Sequence, residues 1–317
     1  VNNSSVAVAQ LGGDSAGEKS AVTRVYRFDD IESQVFMAES RAALFSEKKF
    51  KDAVFSKMDE LLPEDGVLSL DIFDTLLLRD NSSELTRFFE IGKLMASFVN
   101  DAAKSDDSLG NVQLRDVDGF IARQMGTKST YRASKPLKGC REGSLSEIHT
   151  TASRIMVGSE VMKDAFINIE LDYESTRLAV NDLVMDYVLR HKARGGMVIL
   201  ISDMYMHADQ ISDLLQRLDV DLSLFDHLFS SADTKVSKAS GGIFSEVEKV
   251  VGDLAGRCLH VGDSFNGDFK KPKQYGWNAL HLPVPQIEVE LRRKDHLLTQ
   301  KLLSERYGYV ADVAIPK

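Results

Sequence analysis

The sequence predicts an α/β protein, with a mostly parallel sheet carrying helices on both faces and a long helical insertion after the first strand. Three observations predict it. Short apolar runs over 67–70, 197–201, 227–229, 258–261 and 278–282 have strand length, and the first four stop at Asp71, Ser202, Ser230 and Gly262-Asp263. Between the later runs, Ile211, Leu214, Leu215 and Leu218, then Ile243, Phe244, Val247, Val250 and Val251, recur at helical spacing. Strand and helix in alternation give a parallel sheet covered on both sides. Finally, about one hundred residues between Arg79 and Met197 hold no convincing strand, which is too long for a loop.

Taken in order, residues 1–23 are rich in Asn, Ser, Gly and Ala without an apolar period and are expected to form a flexible leader. Over 24–66, Ile31, Val35, Ala38, Ala42 and Phe45, then Phe50, Val54, Met58 and Leu61, form helical stripes that pack on the core. Pro63, Asp65 and Gly66 stop them and turn the chain into the first strand. Segments 67–79 and 191–285 make the sheet domain, and 80–190 a helical cap. In the cap Phe88, Ile91, Leu94, Met95 and Phe98 mark one helix; Phe166, Ile169, Tyr173, Val180, Val184 and Tyr187 mark another, interrupted midway. Because the cap begins right after the strand carrying Asp71, it can lie over that carboxylate as a lid. The charged segment 286–317, with Leu291, Leu298, Leu302 and Leu303 as a weak stripe, is a helical tail that packs on the body or binds a protein partner.

A net charge of −9 argues against a nucleic-acid binder, which needs a basic face. Hydrophobic and charged fractions of 43% and 27% are ordinary for a soluble globular chain. Two cysteines, Cys140 and Cys258, are too few for a disulfide framework or a cysteine metal site, and as free thiols they fit a cytoplasmic location. No apolar run reaches the eighteen or so residues of a membrane span.

Parallel strands end on one side of their sheet, so Asp71, Ser202, Lys238 and Asp263 are expected to converge. A nucleophile or metal ligand, a hydroxyl donor, a cation and a second carboxylate suit phosphoryl transfer. Four segments carry a resemblance. They are Leu70-Asp71-Ile72-Phe73-Asp74-Thr75, Ile199-Leu200-Ile201-Ser202, Lys238 ahead of Gly-Gly-Ile-Phe244, and Gly262-Asp263-Ser264 with Asp268 five residues after Asp263. In this order they resemble the haloacid dehalogenase superfamily. The motifs Asp-Ile-Phe-Asp-Thr-Leu-Leu and Ser-Asp-Met-Tyr are similar to those of a bacterial subgroup found with polysaccharide glycosyltransferases.

The resemblance implies a Rossmann-like core and a Mg²⁺-dependent phosphatase acting on a small phosphorylated metabolite, such as a sugar phosphate. Asp71 would attack phosphorus; Asp71, Asp263 and the main-chain carbonyl of Phe73 would hold the metal. Ser202 would bond a phosphoryl oxygen, or else cap a helix. Lys238, rather than its rival Lys235, would meet the developing charge, and Asp268 would orient the lysine or a metal-bound water, or cap a helix. Thr75 would brace the turn by bonding the backbone. One departure stands out: phosphatases of this kind carry an acid two residues after the nucleophile, and here that position is Phe73. Asp74 and Asp203 are the candidate substitutes. Without an acid, the alternative is a weakly active or inactive module that binds a phosphorylated ligand and docks a glycosyltransferase. The run from Gly119 to Arg141 has no acidic residue, so Arg132 and Arg141 could hold a second anionic group, but a solvated surface loop is the preferred explanation because charge runs usually face water. His260 and Trp277 read as core, and His207 as a helix-opening residue near Ser202.

Overall fold

The computed structural model describes residues 30–106, 109 and 112–316, and the short antiparallel pair β1 (Ala7–Val8) and β2 (Val25–Tyr26). Apart from β1, the expected leader over 1–23 lies outside the described residues. The described residues build a parallel sheet of five strands: β3 (Val67–Leu70), β6 (Met197–Ser202), β7 (His227–Ser230), β8 (Cys258–Gly262) and β9 (Asn278–His281). Their order is β7-β6-β3-β8-β9, so the strand ahead of Asp71 lies in the middle. Leu70 pairs with Leu200 on one side and Val261 on the other, which brings the three strand ends level.

Alternation along each strand divides the core into two. Leu68, Leu70, Val198, Leu200, Leu259 and Val261 face one cluster, and Val67, Ile199, Ile201 and Cys258 the other. The second cluster is covered by α11 (Gly242–Val251) and Trp277, whose ring meets Phe244 edge-on at 5.1 Å. The first receives α1 (Asp30–Phe36), α2 (Arg41–Ser46) and α3 (Lys48–Leu61), into which the N-terminal stripe is divided. Ser40 starts α2 by accepting the Ala43 amide.

The stretch after Arg79, expected to be free of strands, contains one, and its partner ends at Arg79. β4 (Leu77–Arg79) and β5 (Leu178–Val180) pair antiparallel and form a neck. Three residues are too few to show a period of two, which is why the sequence did not reveal them. Between them lie α4 (Glu84–Ala102), α5 (Asp116–Ala133), α6 (Leu145–Val157) and α7 (Lys163–Ser175). The expected interruption falls at β5, after which α8 (Asp182–Ala193) packs against β6 and α2.

α4 and α5 meet through glycines. A Cβ at Gly119 would collide with the Gly92 carbonyl oxygen, and one at Gly92 with the Phe120 backbone. Both obstacles are main chain, so neither can move aside without separating the helices. Gly119→Ala is therefore expected to destabilise the protein by about 3 kcal/mol, the upper end for an overpacked site. Urea denaturation read by circular dichroism checks this.

Further along lie α9 (Ala208–Arg217), α10 (Ser231–Thr234) and α12 (Lys271–Gln274), then α13 (Gln286–Tyr307), which packs against α4. Of the predicted tail stripe Leu303 is buried, whereas Leu291, Leu298 and Leu302 face solvent. No helix among the described residues is long and apolar enough to cross a membrane.

Candidate active site

The site begins where β3 runs out of apolar residues. The Asp71 amide still donates to Val261 (2.9 Å), so the carboxylate is fixed one step beyond the sheet. The chain then turns back within six residues: Leu77 N–H donates to the Ile72 carbonyl and Asp74 N–H to the Leu77 carbonyl, each at 2.7 Å. Asp74 completes the turn at a φ of 62°, in the left-handed region that Asp tolerates better than most residues. Inside this turn the Thr75 hydroxyl donates to Asp71 Oδ2 at 3.1 Å. It thus orients the carboxylate itself, not the backbone as expected.

Lys238 supplies the second contact. Its ammonium touches Asp71 Oδ1 and lies 2.6 Å from Asp268 Oδ1. Its main chain is clamped by Asp203, whose two oxygens accept the Lys238 and Ala239 amides at 2.7 and 3.1 Å.

Asp268 is held from three sides. Besides Lys238, it accepts the Ser264 amide (2.9 Å) and His260 Nε2 (3.0 Å). A Cβ at Gly262 would overlap the Asp268 carboxyl group, so glycine is required at that strand end. Burial pushes the His260 pKa down, leaving a neutral ring with one proton. Asp268, which Lys238 and His260 hold well below the usual carboxylate range against the opposing effect of burial, can only accept. The proton therefore resides on Nε2, and Nδ1 accepts from the Ser69 hydroxyl at 2.7 Å. His260 is core, as read from sequence, but it also positions Asp268.

One ligand oxygen each from Asp71, Asp263 and Asp268 lie within 4.8 Å of one another. Burial drives Asp71 up to about 7 despite Lys238, and burial together with Asp71, Asp74 and Asp268 raises Asp263 well above the ordinary range. Fully ionised, the three carboxylates carry two more negative charges than Lys238 neutralises. An all-oxygen donor set with that excess fits a divalent cation of the Mg²⁺ type.

The other predicted residues are placed as follows. Ser202 ends β6 fully buried, and its hydroxyl accepts the Met204 amide (3.2 Å), a turn-capping bond that leaves the O–H able to donate. Lys235 takes a left-handed turn between α10 and Lys238, and Lys238 alone of the two reaches Asp71. His207 opens α9 and bonds Asp233 at 2.6 Å. Asp74 turns away from the proton-donor position. Its carboxylate takes Arg41 at 2.8 Å and Arg292 at 2.8 and 2.9 Å. Burial opposes its ionisation, but Arg292, Arg79 and Arg41 prevail and hold it well below the usual range, so it carries no proton to give. Asp203 has both oxygens on backbone amides, as above. In the basic stretch, Arg141 folds back onto the carbonyls of Arg132 and Ser134, and Arg132 is exposed. Lys138 pairs with Glu246, Lys128 with Asp312, and Arg123 is buried on Glu170. Three of its cations, Arg123, Lys128 and Lys138, are thus engaged in ion pairs, and Arg141 in backbone bonds.

Three residues beside the site had no signal in the sequence. Arg41 and Arg292 reach Asp74 from α2 and α13, and the Arg79 guanidinium lies over the Phe73 ring, 4.4 Å from its centroid.

Comparison with solved structures finds distant likenesses. The HAD-hydrolase YfnB of Bacillus subtilis, bound to magnesium, shares 15% identity over 68% of this chain and 86% of its own, with a TM-score of 0.40. The HAD family enzyme bt-2542 of Bacteroides thetaiotaomicron, in complex with magnesium and inorganic phosphate, shares 16% over 68% and 93%, at 0.43. A 2-haloacid dehalogenase from Pseudomonas syringae shares 14% over 68% and 85%, at 0.45. No curated protein matches. The haloacid dehalogenase-like hydrolase model matches residues 67–271, from the strand before Asp71 to just past Asp268 and over well more than half of the chain, and the protein accordingly belongs to the haloacid dehalogenase-like hydrolases.

Proposed function

We propose that this hydrolase is a Mg²⁺-dependent phosphatase for a small phosphorylated metabolite, with Asp71 as nucleophile. The observation that carries the reading is the meeting of Lys238 and Asp263 at Asp71, residues that follow three separate strands, with α10 between β7 and Lys238. One Asp71 oxygen attacks phosphorus and the bond to the leaving alkoxide breaks, giving an aspartyl phosphate. Water then attacks the same phosphorus, releasing phosphate and restoring the carboxylate. Lys238 meets the phosphoryl oxygens where charge grows, and Ser202 donates its O–H to one of them. Asp71, Asp263 and the Phe73 carbonyl would hold Mg²⁺, with Asp268 behind, and a bound ion would offset the repulsion between carboxylate and phosphate dianion. Because Phe73 stands where an acid is expected, the leaving oxygen takes its proton from water, so rates fall steeply as the leaving-group pKa rises.

Phosphate release from p-nitrophenyl phosphate and a panel of sugar phosphates tests the reading. Chelation is expected to lower turnover by about a hundredfold or more, and added Mg²⁺ to restore it. Halide release from a 2-haloacid that persists in chelator would replace the proposal with dehalogenation. Phe73 under Arg79 favours a second reading, a phospho-ligand-binding module that docks a glycosyltransferase; phosphate binding without turnover on any ester would select it.

A further inference from the structure

Four buried or nearly buried arginines surround the root of the insertion, and one of them lacks a proper partner. Arg41 holds Asp74 and Glu288 at 2.8 and 2.6 Å, Arg87 holds Glu174 at 2.9 Å, and Arg123 holds Glu170 at 2.8 Å. Removing a guanidinium from water costs several kcal/mol unless such a partner compensates. Arg79, whose side chain is 13% exposed, has none: its nearest carboxylate oxygen, on Asp74, is 3.9 Å away and already belongs to Arg41 and Arg292. Nη2 makes a 3.8 Å contact with the thioether of Met204, a weak acceptor, and Nε is buried without any partner. In keeping with this, burial and the neighbouring Arg87 lower the Arg79 pKa, whereas those of Arg41, Arg87 and Arg123 are raised.

The location gives the deficit a meaning. Arg79 stacks on Phe73, two residues after Asp71, and touches Met204, two residues after Ser202. Two residues span at most about 7 Å, and less in turns such as these. The Arg79 guanidinium thus lies within reach of the organic part of a phosphate ester seated on Asp71 and Ser202. The Phe73 ring fixes the plane of the guanidinium, and a planar fork suits a carboxylate or phosphate taken through two parallel bonds.

We infer that Arg79 is the receptor for a second anionic group on the substrate, a carboxylate or another phosphate carried by the same molecule as the scissile ester. This rests on the phosphatase reading for where the first phosphate sits. It also gives the Phe73 position a use: an apolar ring replaces the acid and becomes the platform for the receptor.

Kinetics and binding test it separately. In the first arm, kcat/KM is measured for p-nitrophenyl phosphate and glucose 6-phosphate, for phosphoglycolate and 3-phosphoglycerate, and for glucose 1,6-bisphosphate. The wild-type protein should favour either the carboxylates or the bisphosphate over glucose 6-phosphate. Arg79→Met should cut that preference by about tenfold to a hundredfold, and Arg79→Lys by less, since it keeps the charge and loses the fork. The second arm needs no turnover: calorimetry with 3-phosphonopropionate and methylenediphosphonate against propylphosphonate, all with Mg²⁺. Tighter binding of a charged-tail compound, lost in Arg79→Met, supports the inference even if no ester is hydrolysed, in which case only the phosphatase reading fails. Hydrolysis without any preference for a second anion, or a preference that survives in both variants, overturns the inference and leaves the phosphatase reading standing. Should Arg79→Met not fold, the Arg79→Lys comparison decides.

Discussion

Replacing Asp71 by Asn is expected to lower kcat by about 10⁴-fold or more on every phosphate ester, the scale seen when a nucleophile is removed from a site whose parts act together. The amide keeps the shape of the carboxylate, but its single oxygen can accept from Thr75 or from Lys238 and not from both, which leaves Lys238 leaning on Asp268. What disappears, on the phosphatase reading, is the atom that attacks phosphorus. The same change removes one negative charge from a pocket where Asp71, Asp263 and Asp268 repel one another. Stability should accordingly hold or rise, the usual exchange between a strained functional group and a quieter substitute. Parallel measurement of turnover and melting temperature separates the two effects. Activity above about one per cent in a well-folded Asp71→Asn protein would remove this carboxylate from the mechanism.

The largest loss of stability is expected inside the helical insertion. Glu170 is fully buried and takes four donors: Arg123 through two nitrogens, His149 at 2.9 Å and Tyr205 at 2.9 Å. Arg123 is equally buried and lies against Phe88, 3.6 Å from the ring centroid. Glu170→Gln leaves that guanidinium without a counter-charge in an apolar interior, a loss of about 3–5 kcal/mol. Urea denaturation at neutral pH measures it, and a loss under 1 kcal/mol would mean that the pair contributes little.

The pH dependence has a definite sign. Burial raises the Glu170 pKa, but Arg123 and His149 outweigh it and hold the folded value below the ordinary 4.5, so this stabilisation is complete above 4.5 and is lost as pH falls through the folded value. Burial keeps His149 neutral, with its folded pKa below 6.5, so its contribution also fades as pH drops below 6.5. Both make the wild type acid-sensitive. Glu170→Gln should flatten the slope below pH 5.

The network also touches the site, because Tyr205 stands three residues after Ser202 and its carbonyl accepts the Leu145 amide at 2.6 Å. Through this one residue the loop leaving β6 is bonded to α5, α6 and α7.

Much of this architecture was legible in the sequence because its signals are local. Each core strand is a short apolar run with a polar stop, and the spacing from Lys238 to Phe244 distinguishes it from Lys235. The neck was not legible, since β4 and β5 are three residues each. Asp74 illustrates the other limit. Read along the chain it is an acid next to a vacant acid position; in three dimensions it is the anion of an arginine cluster, with Arg292 separated from it by 218 positions. Pairing across such distances leaves no periodic mark. Likewise the basic stretch from Gly119 to Arg141 looks continuous on paper, while folding sends Arg123 inward and Lys138 to Glu246.

The tie between Asp74 and α13 has a consequence for the order in which the molecule is made. The ribosome delivers Asp71 and its turn before α13, so two of the groups that steady that turn, Arg292 on Asp74 and Glu288 on Arg41, emerge only after the five-stranded sheet has been synthesised. Until then Asp74 has Arg41 as its close partner and Arg41 lacks Glu288. A nascent chain therefore carries the Asp71 turn on an unfinished support until α13 has emerged.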